Sequence, residues 1–101
     1  MSETIEKLIK TIRSRKGNDV KLSYTSFLLS KGNDYCLNKL KEEITEFEDA
    51  IRNKKNTVRE AADVIYHLLV TLESAGVNFD NILAELKKRE GTSGFKEKRN
   101  R

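Results

Sequence analysis

AADVIYHLLVTL, residues 61–72, is apolar except at Asp63, His67 and Thr71. Those positions recur every four residues, and Glu60 lies three before the first. On a helix of 3.6 residues per turn all four share one stripe. With its other faces apolar, this helix belongs at the centre of a helical bundle. The polar stripe must then face a water-filled site or partners able to satisfy it, because a buried unpaired carboxylate is costly. Thr57-Val58-Arg59-Glu60 has capping-box spacing and marks the start. Gly76 suits the position just past the end. Taken alone, the stripe also fits Glu60 as the capping-box acid and Asp63 pointing to solvent.

The preceding helix, from about Asp34 to Arg52, adds a second set of acids. Leu40, Ile44, Phe47 and Ile51 recur at spacings of four, three and four and form an apolar stripe. Glu43 and Glu46 are i, i+3 and project from one side bordering that stripe, whereas Glu42 points further round, toward solvent. Residues 53–56 read as a turn. Folding the two helices about Lys54 and Lys55 puts Glu46 about nine residues before the turn centre and Asp63 about nine after it. At ~1.5 Å per residue they stand level, with Glu43 and Glu60 within a turn or so. Four carboxylates at one point repel. Lys39, Lys41 and Arg59 offset part of this, and a divalent cation would offset more. All-oxygen ligands suit Mg²⁺ or Mn²⁺, and Mg²⁺ usually shares its shell with substrate phosphates, which points to phosphoryl chemistry.

The rest of the chain extends the helical reading. Ile5, Leu8, Ile9 and Ile12 line one face of a first helix from about Ser2, its N-cap, to Arg13. A short helix spans about Ser23 to Ser30. Lys31-Gly32 closes it, and Asn33 or Asp34 caps the next. Asn78 or Asp80 opens a fifth helix that ends before Gly91. The expected fold is all-α, an antiparallel bundle of short-looped helices.

Of 101 residues, 36% are charged and 37% hydrophobic, enough for one domain (1–101) with a thin core that oligomer contacts would supplement. The single cysteine, Cys36, excludes a disulfide framework and a multi-cysteine zinc site. No apolar run reaches the ~18 residues of a membrane span. The charged start, MSETIEKLIK, does not resemble a signal peptide, so a cytoplasmic protein is expected. The net charge of +4 is uneven: residues 87–101 hold seven Lys/Arg against Glu90 and Glu97, leaving the rest slightly acidic. Residues 91–101 read as an aperiodic basic tail. Nucleic-acid binding through that tail is a rival reading, but the acidic body and few aromatics count against it. A purely structural helical dimer is another.

ExxE at Glu43–Glu46 followed by ExxD at Glu60–Asp63 resembles the metal-binding pattern of the MazG-like all-α nucleotide pyrophosphohydrolases. Four further features narrow the likeness. They are Ser23-Tyr24-Thr25, Lys39-x-x-Glu42-Glu43-x-x-Glu46, Glu60-Ala61-Ala62-Asp63 with Tyr66-His67-Leu68-Leu69, and Arg89-x-Gly91-Thr92-Ser93-Gly94 with Glu97-Lys98. In order and spacing these are similar to the phosphoribosyl-ATP pyrophosphohydrolase family of histidine biosynthesis, over about Leu8 to Arg99. Two positions depart from it: Lys41 stands where the family usually has glycine, and Phe47 where small or hydroxylated residues are common.

The resemblance implies a MazG-like bundle completed by dimerisation. It implies cleavage of the α–β bond of phosphoribosyl-ATP to phosphoribosyl-AMP and pyrophosphate. Glu43, Glu46, Glu60 and Asp63 would hold Mg²⁺, with Mn²⁺ a possible substitute. Glu42, Glu43 and Glu46 would be catalytic, Glu42 either as a supporting group or as the base that orients water. Lys39, Arg59, Lys96, Lys98 and Arg99 would bind substrate phosphates. His67 is either a carboxylate partner or a packed bundle histidine. The Gly-Thr-Ser-Gly segment is either a phosphate-binding loop or a solvated terminus, and the tail would reach the partner subunit's site. The alternative within the same fold is a MazG-like enzyme acting on other nucleoside triphosphates.

Overall fold

A computed structural model describes residues 3–91 and 94–100, with the side chains of only Gly94, Phe95, Lys98 and Arg99 in the last stretch. The described residues form six helices: α1 (Glu3–Arg15), α2 (Tyr24–Lys31), α3 (Asn33–Asn53), α4 (Thr57–Ser74), α5 (Phe79–Lys88) and α6 (Gly94–Asn100). The expected N-cap Ser2 lies outside them. So do Thr92 and Ser93 of the Gly-Thr-Ser-Gly segment and the side chains of Lys96 and Glu97.

The architecture is the expected all-α one, with α4 at its centre. It packs against α1, α2 and most extensively α3. Leu69 and Val70 of α4 join Ile12, Leu28 and Cys36 in the buried core, flanked by Leu8, Ile9, Phe27, Tyr66 and Phe79. Local chemistry sets the helix ends. Ser23 accepts a hydrogen bond from the Ser26 amide and caps α2. Asn78 does the same for α5 through the Asp80 amide. Gly76, at φ 73°, terminates α4: its amide donates to Glu73 and that of Val77 to Leu72, the paired bonds of a Schellman ending. The buried Ser26 hydroxyl donates to the Arg15 carbonyl at 2.8 Å, satisfying the last turn of α1 from inside.

Three expectations need correction. Thr57 is not the cap of a capping box: Asn56 occupies that position at φ 60° with no side-chain bond, and the Thr57 hydroxyl reaches back across the turn to the Ala50 carbonyl. Residues 94–100 are helical, although a short charged segment carries no apolar period to announce it. Finally, the Leu40–Ile44–Phe47–Ile51 stripe is not buried as a unit within the chain: Leu40 and Phe47 are only half-buried. Ile44 and Ile51 are about half exposed, and the buried residues of α3 are Cys36 and Ala50. Cys36, Glu43 and Ala50 are seven residues apart and share a face. The α3–α4 seam is therefore built on two small residues, with a glutamate midway between them.

Candidate active site

That glutamate is the key to the site. Across the seam from Glu43, α4 brings in Glu60 and Asp63. One carboxylate oxygen from each of the three lies within 4.8 Å of the others, and all three side chains are half-buried. Oε2 of Glu43 and Oε2 of Glu60 are buried without a hydrogen-bond partner. A desolvated, unpartnered carboxylate oxygen is expensive to leave so, and two at one point call for a cation or a proton. The electrostatics act in the same direction. Burial, then a hydrogen bond with Glu46, then the charges of Glu46, Asp63 and Glu60 push the Glu43 carboxyl up to about 7.

Glu46 stands beside Glu43, exposed, and its oxygens are not among the three that converge. It belongs instead to the wall of a cavity of about 280 Å³ that opens toward the hairpin turn. Glu60, Asp49, Ala50, Asn53, Lys55 and Asn56 complete that lining. Glu46 and Glu60 thus connect the acid cluster to the cavity.

On the side away from the turn, Tyr24 of α2 stands beside His67, near enough to Glu43 to feel its charge. Its ring is 6.1 Å from that of His67, edge-on, and roughly half exposed. Burial raises its hydroxyl pKa; Lys39 opposes the rise, while Glu43 is among the charges adding to it. Tyr66 is also edge-on to His67 and hydrogen-bonds Thr25.

His67 is buried. Its Nδ1 lies 3.0 Å from the Asp63 backbone carbonyl, which can only accept, so Nδ1 carries the proton. It is a packed bundle histidine that steadies the turn of α4 bearing Asp63, and it reaches the backbone rather than a carboxylate. Its Nε2 is buried and unpartnered. Thr71, next on the stripe, donates to the His67 carbonyl at 2.7 Å and also lies 3.4 Å from the Cys36 carbonyl, tying α4 to α3.

The other expected residues are spread more widely. Glu42 faces outward and pairs with Lys39 at 3.5 Å; it does not join the cluster. Lys39 also lies over the Tyr35 ring, 5.5 Å from its centre, on the Tyr24 side of the site. Arg59 is exposed on α4, and Lys98 and Arg99 are exposed on α6. The expectation for Lys96 falls on a side chain outside the described residues. The cavity also draws in Lys55, Asn53, Asn56 and Asp49, which the sequence pattern does not single out. Asp49, three after Glu46, is the one signal the sequence carries; the turn itself has none.

Fold and site together define an all-α protein whose chemistry is concentrated in a carboxylate-lined helical hairpin. A sequence model of the phosphoribosyl-ATP pyrophosphohydrolase family matches residues 5–90. Proteins named phosphoribosyl-ATP pyrophosphatase are similar over nearly the whole chain. The one from Rhodobacter capsulatus is 45% identical over 96 residues (93% of each chain). That from Cereibacter sphaeroides is 43% identical over 99 residues (96% of each), and that from Roseobacter denitrificans 43% over 100 residues (97% of this chain, 95% of the relative). The chain belongs to the phosphoribosyl-ATP pyrophosphohydrolase family and is a hydrolase.

Proposed function

We propose that this chain hydrolyses the α–β phosphoanhydride of phosphoribosyl-ATP to phosphoribosyl-AMP and pyrophosphate, with Mg²⁺, or Mn²⁺ in its place, held by Glu43, Glu60 and Asp63 and flanked by Glu46. The observation that carries this reading is the convergence of three carboxylates with two orphaned buried oxygens in a chain of that family. The donor set fits the ion: all-oxygen, anionic and without thiol or imidazole ligands. A bound Mg²⁺ would polarise phosphate oxygens and acidify or orient a water.

The chain's own residues do the rest. Glu43, Glu60 and Asp63 are held on two packed helices, so their spacing costs no reorganisation when substrate arrives. Glu46, at the solvent edge beside Glu43, takes the proton of the attacking water. As water adds across the anhydride, one P–O bond breaks and pyrophosphate departs. Lys39, paired with Glu42, would offer positive charge to a phosphate on the Tyr24 side. Arg59, Lys96, Lys98 and Arg99 supply further positive charge.

The substrate assignment is tested by comparing pyrophosphate release from phosphoribosyl-ATP with that from ATP, dUTP and dCTP at equal Mg²⁺. Phosphoribosyl-ATP is the preferred substrate; a preference for a plain triphosphate would return the chain to the broader MazG-like reading.

The protein acts as a homodimer. Leu37, Ile44 and Ile51 on α3 and Val58 and Ile65 on α4 fall at steps of seven, and each is at least 41% exposed. Apolar side chains repeating on that period mark a helix–helix seam, and a second copy would cover this one. Replacing Ile44 and Ile51 together with glutamate is expected to give a monomer by light scattering with helical circular dichroism retained. An unchanged dimer would refute this interface. No described helix is long and apolar enough to cross a membrane; a cytoplasmic location belongs to the biosynthetic function proposed above.

A further inference from the structure

The cavity at the hairpin turn is not explained by the carboxylates alone. Its volume of about 280 Å³ lies just below the ~300–1,000 Å³ usual for pockets that enclose drug-sized ligands, so it suits a fragment of the substrate rather than the whole. One wall is acidic: Glu46, Asp49 and Glu60. The other is the turn, with Asn53, Lys55 and Asn56. Lys55 makes no ion pair among the described residues although three carboxylates line the same cavity, and the Asn53 and Asn56 amides make no side-chain hydrogen bond there. The residues on either side of Lys55 are both left-handed and neither is glycine: Lys54 at φ 55° and Asn56 at φ 60°. Such backbone is sparsely populated and is kept where the surroundings hold it. The crest of the turn is therefore held in one shape, with a cation and two amides beside the acid cluster.

We propose that Lys55, assisted by Asn53 and Asn56, binds the terminal phosphates of the substrate, the pair that leaves as pyrophosphate. This rests on the function proposed above and adds a direction to it. The two ends of the site differ in chemistry. Tyr24, a half-exposed ring, lies at one end and suits a base or sugar. Lys55 and the amides lie at the other and suit phosphate oxygens. Glu46 and Glu60 stand between, where they would repel bare phosphate. A phosphate chain accompanied by a divalent cation matches this arrangement: the cation meets the acids, and the outer oxygens meet the lysine. The substrate then lies along the hairpin with its triphosphate terminus toward the turn.

The test is calorimetric titration of full-length protein with pyrophosphate in the presence of Mg²⁺, on wild type, Lys55→Ala, Lys55→Arg and Lys54→Ala. Mn²⁺ binding without pyrophosphate is measured alongside. Loss of one charge-assisted contact weakens binding roughly tenfold or more. Lys55→Ala is expected to lose about that much affinity for pyrophosphate and to bind Mn²⁺ alone as wild type does. Lys55→Arg should recover part of the loss, and Lys54→Ala should stay within about twofold of wild type. If wild type hydrolyses phosphoribosyl-ATP but Lys55→Ala binds pyrophosphate unchanged, the lysine's role is overturned and the function stands. Equal losses in Lys54→Ala and Lys55→Ala would reduce the effect to the general charge of the turn and overturn it too. Wild type that neither binds pyrophosphate with Mg²⁺ nor turns over phosphoribosyl-ATP would overturn both readings.

Discussion

Replacing Glu43 with glutamine is expected to lower turnover by about 10²–10³-fold or more and, in metal-free protein at pH 8, to raise the melting temperature. The two effects have one cause. Glu43 sits midway along the α3–α4 seam, where its carboxylate is desolvated and faces Glu46, Asp63 and Glu60. The group's pKa is about 7 in the folded protein against an ordinary value of 4.5. Between those values the folded state binds more protons than the unfolded chain. Stability of the metal-free protein therefore falls as pH rises from about 4.5 to about 7, and the full penalty persists above that.

Glutamine has the same shape without the charge. At pH 8 it removes a penalty on the order of 1 kcal/mol after screening by water is allowed for, which for a domain of this size is about 4–8 °C. Near pH 4.5 wild type is itself largely protonated at Glu43, and the gap should close. Scanning calorimetry in chelator at the two pH values checks this, with pyrophosphate release measured in parallel. A Glu43→Gln protein that is less stable than wild type at pH 8 would mean that the carboxylate is there to hold the fold rather than to hold a cation. Activity losses of the expected size follow when a preorganised group at developing charge is removed.

The second large effect is the converse. Filling the cluster with Mg²⁺ or Mn²⁺ should stabilise wild type by mass action, about 2.7 kcal/mol at a hundred times the dissociation constant, or ~10–20 °C in melting temperature. Glu60→Gln and Asp63→Asn should each lose most of that shift and most of the activity, because each takes one of the three converging oxygens away. Both are half-buried and lie in the first two turns of α4, before the core residues Leu69 and Val70, so the variants should retain helical content. Melting curves with and without the ion, on the three proteins, give the answer. An equal shift in all three would put the ion elsewhere on the molecule.

The hairpin and the level of its acids were legible in the sequence because they depend only on helical rise and on where the chain turns. Counting about nine residues on either side of Lys54 and Lys55 brought the acids together, and Glu43, Glu60 and Asp63 do meet. What the pattern did not show is which face of α3 meets α4. Hydrophobic spacing singles out Leu40, Ile44, Phe47 and Ile51, yet two of these are half exposed. Apolar periodicity reports what will be buried somewhere, in this chain or against another copy. The seam within the chain uses Cys36 and Ala50, whose small side chains let the helices approach closely and carry little apolar signal.

The helix α4 begins at Thr57 as its spacing implies, but without the capping box, for a related reason. Thr57-x-x-Glu60 has capping-box spacing, but the left-handed turn at Lys54 and Asn56 brings the Ala50 carbonyl within reach of the Thr57 hydroxyl, and Glu60 is drawn into the acid cluster. In the sequence Lys55 marks only the crest of the turn, because a turn lysine has no periodicity to set it apart as a site residue. Only the folded hairpin shows that it shares a cavity with Glu46 and Glu60.

The most direct test of the central claim is an anomalous difference map from crystals soaked in Mn²⁺. The account predicts a peak bounded by the carboxylates of Glu43, Glu60 and Asp63, with Glu46 at its edge. A map with no peak among these side chains, or with manganese bound only at other surface acids, would contradict it.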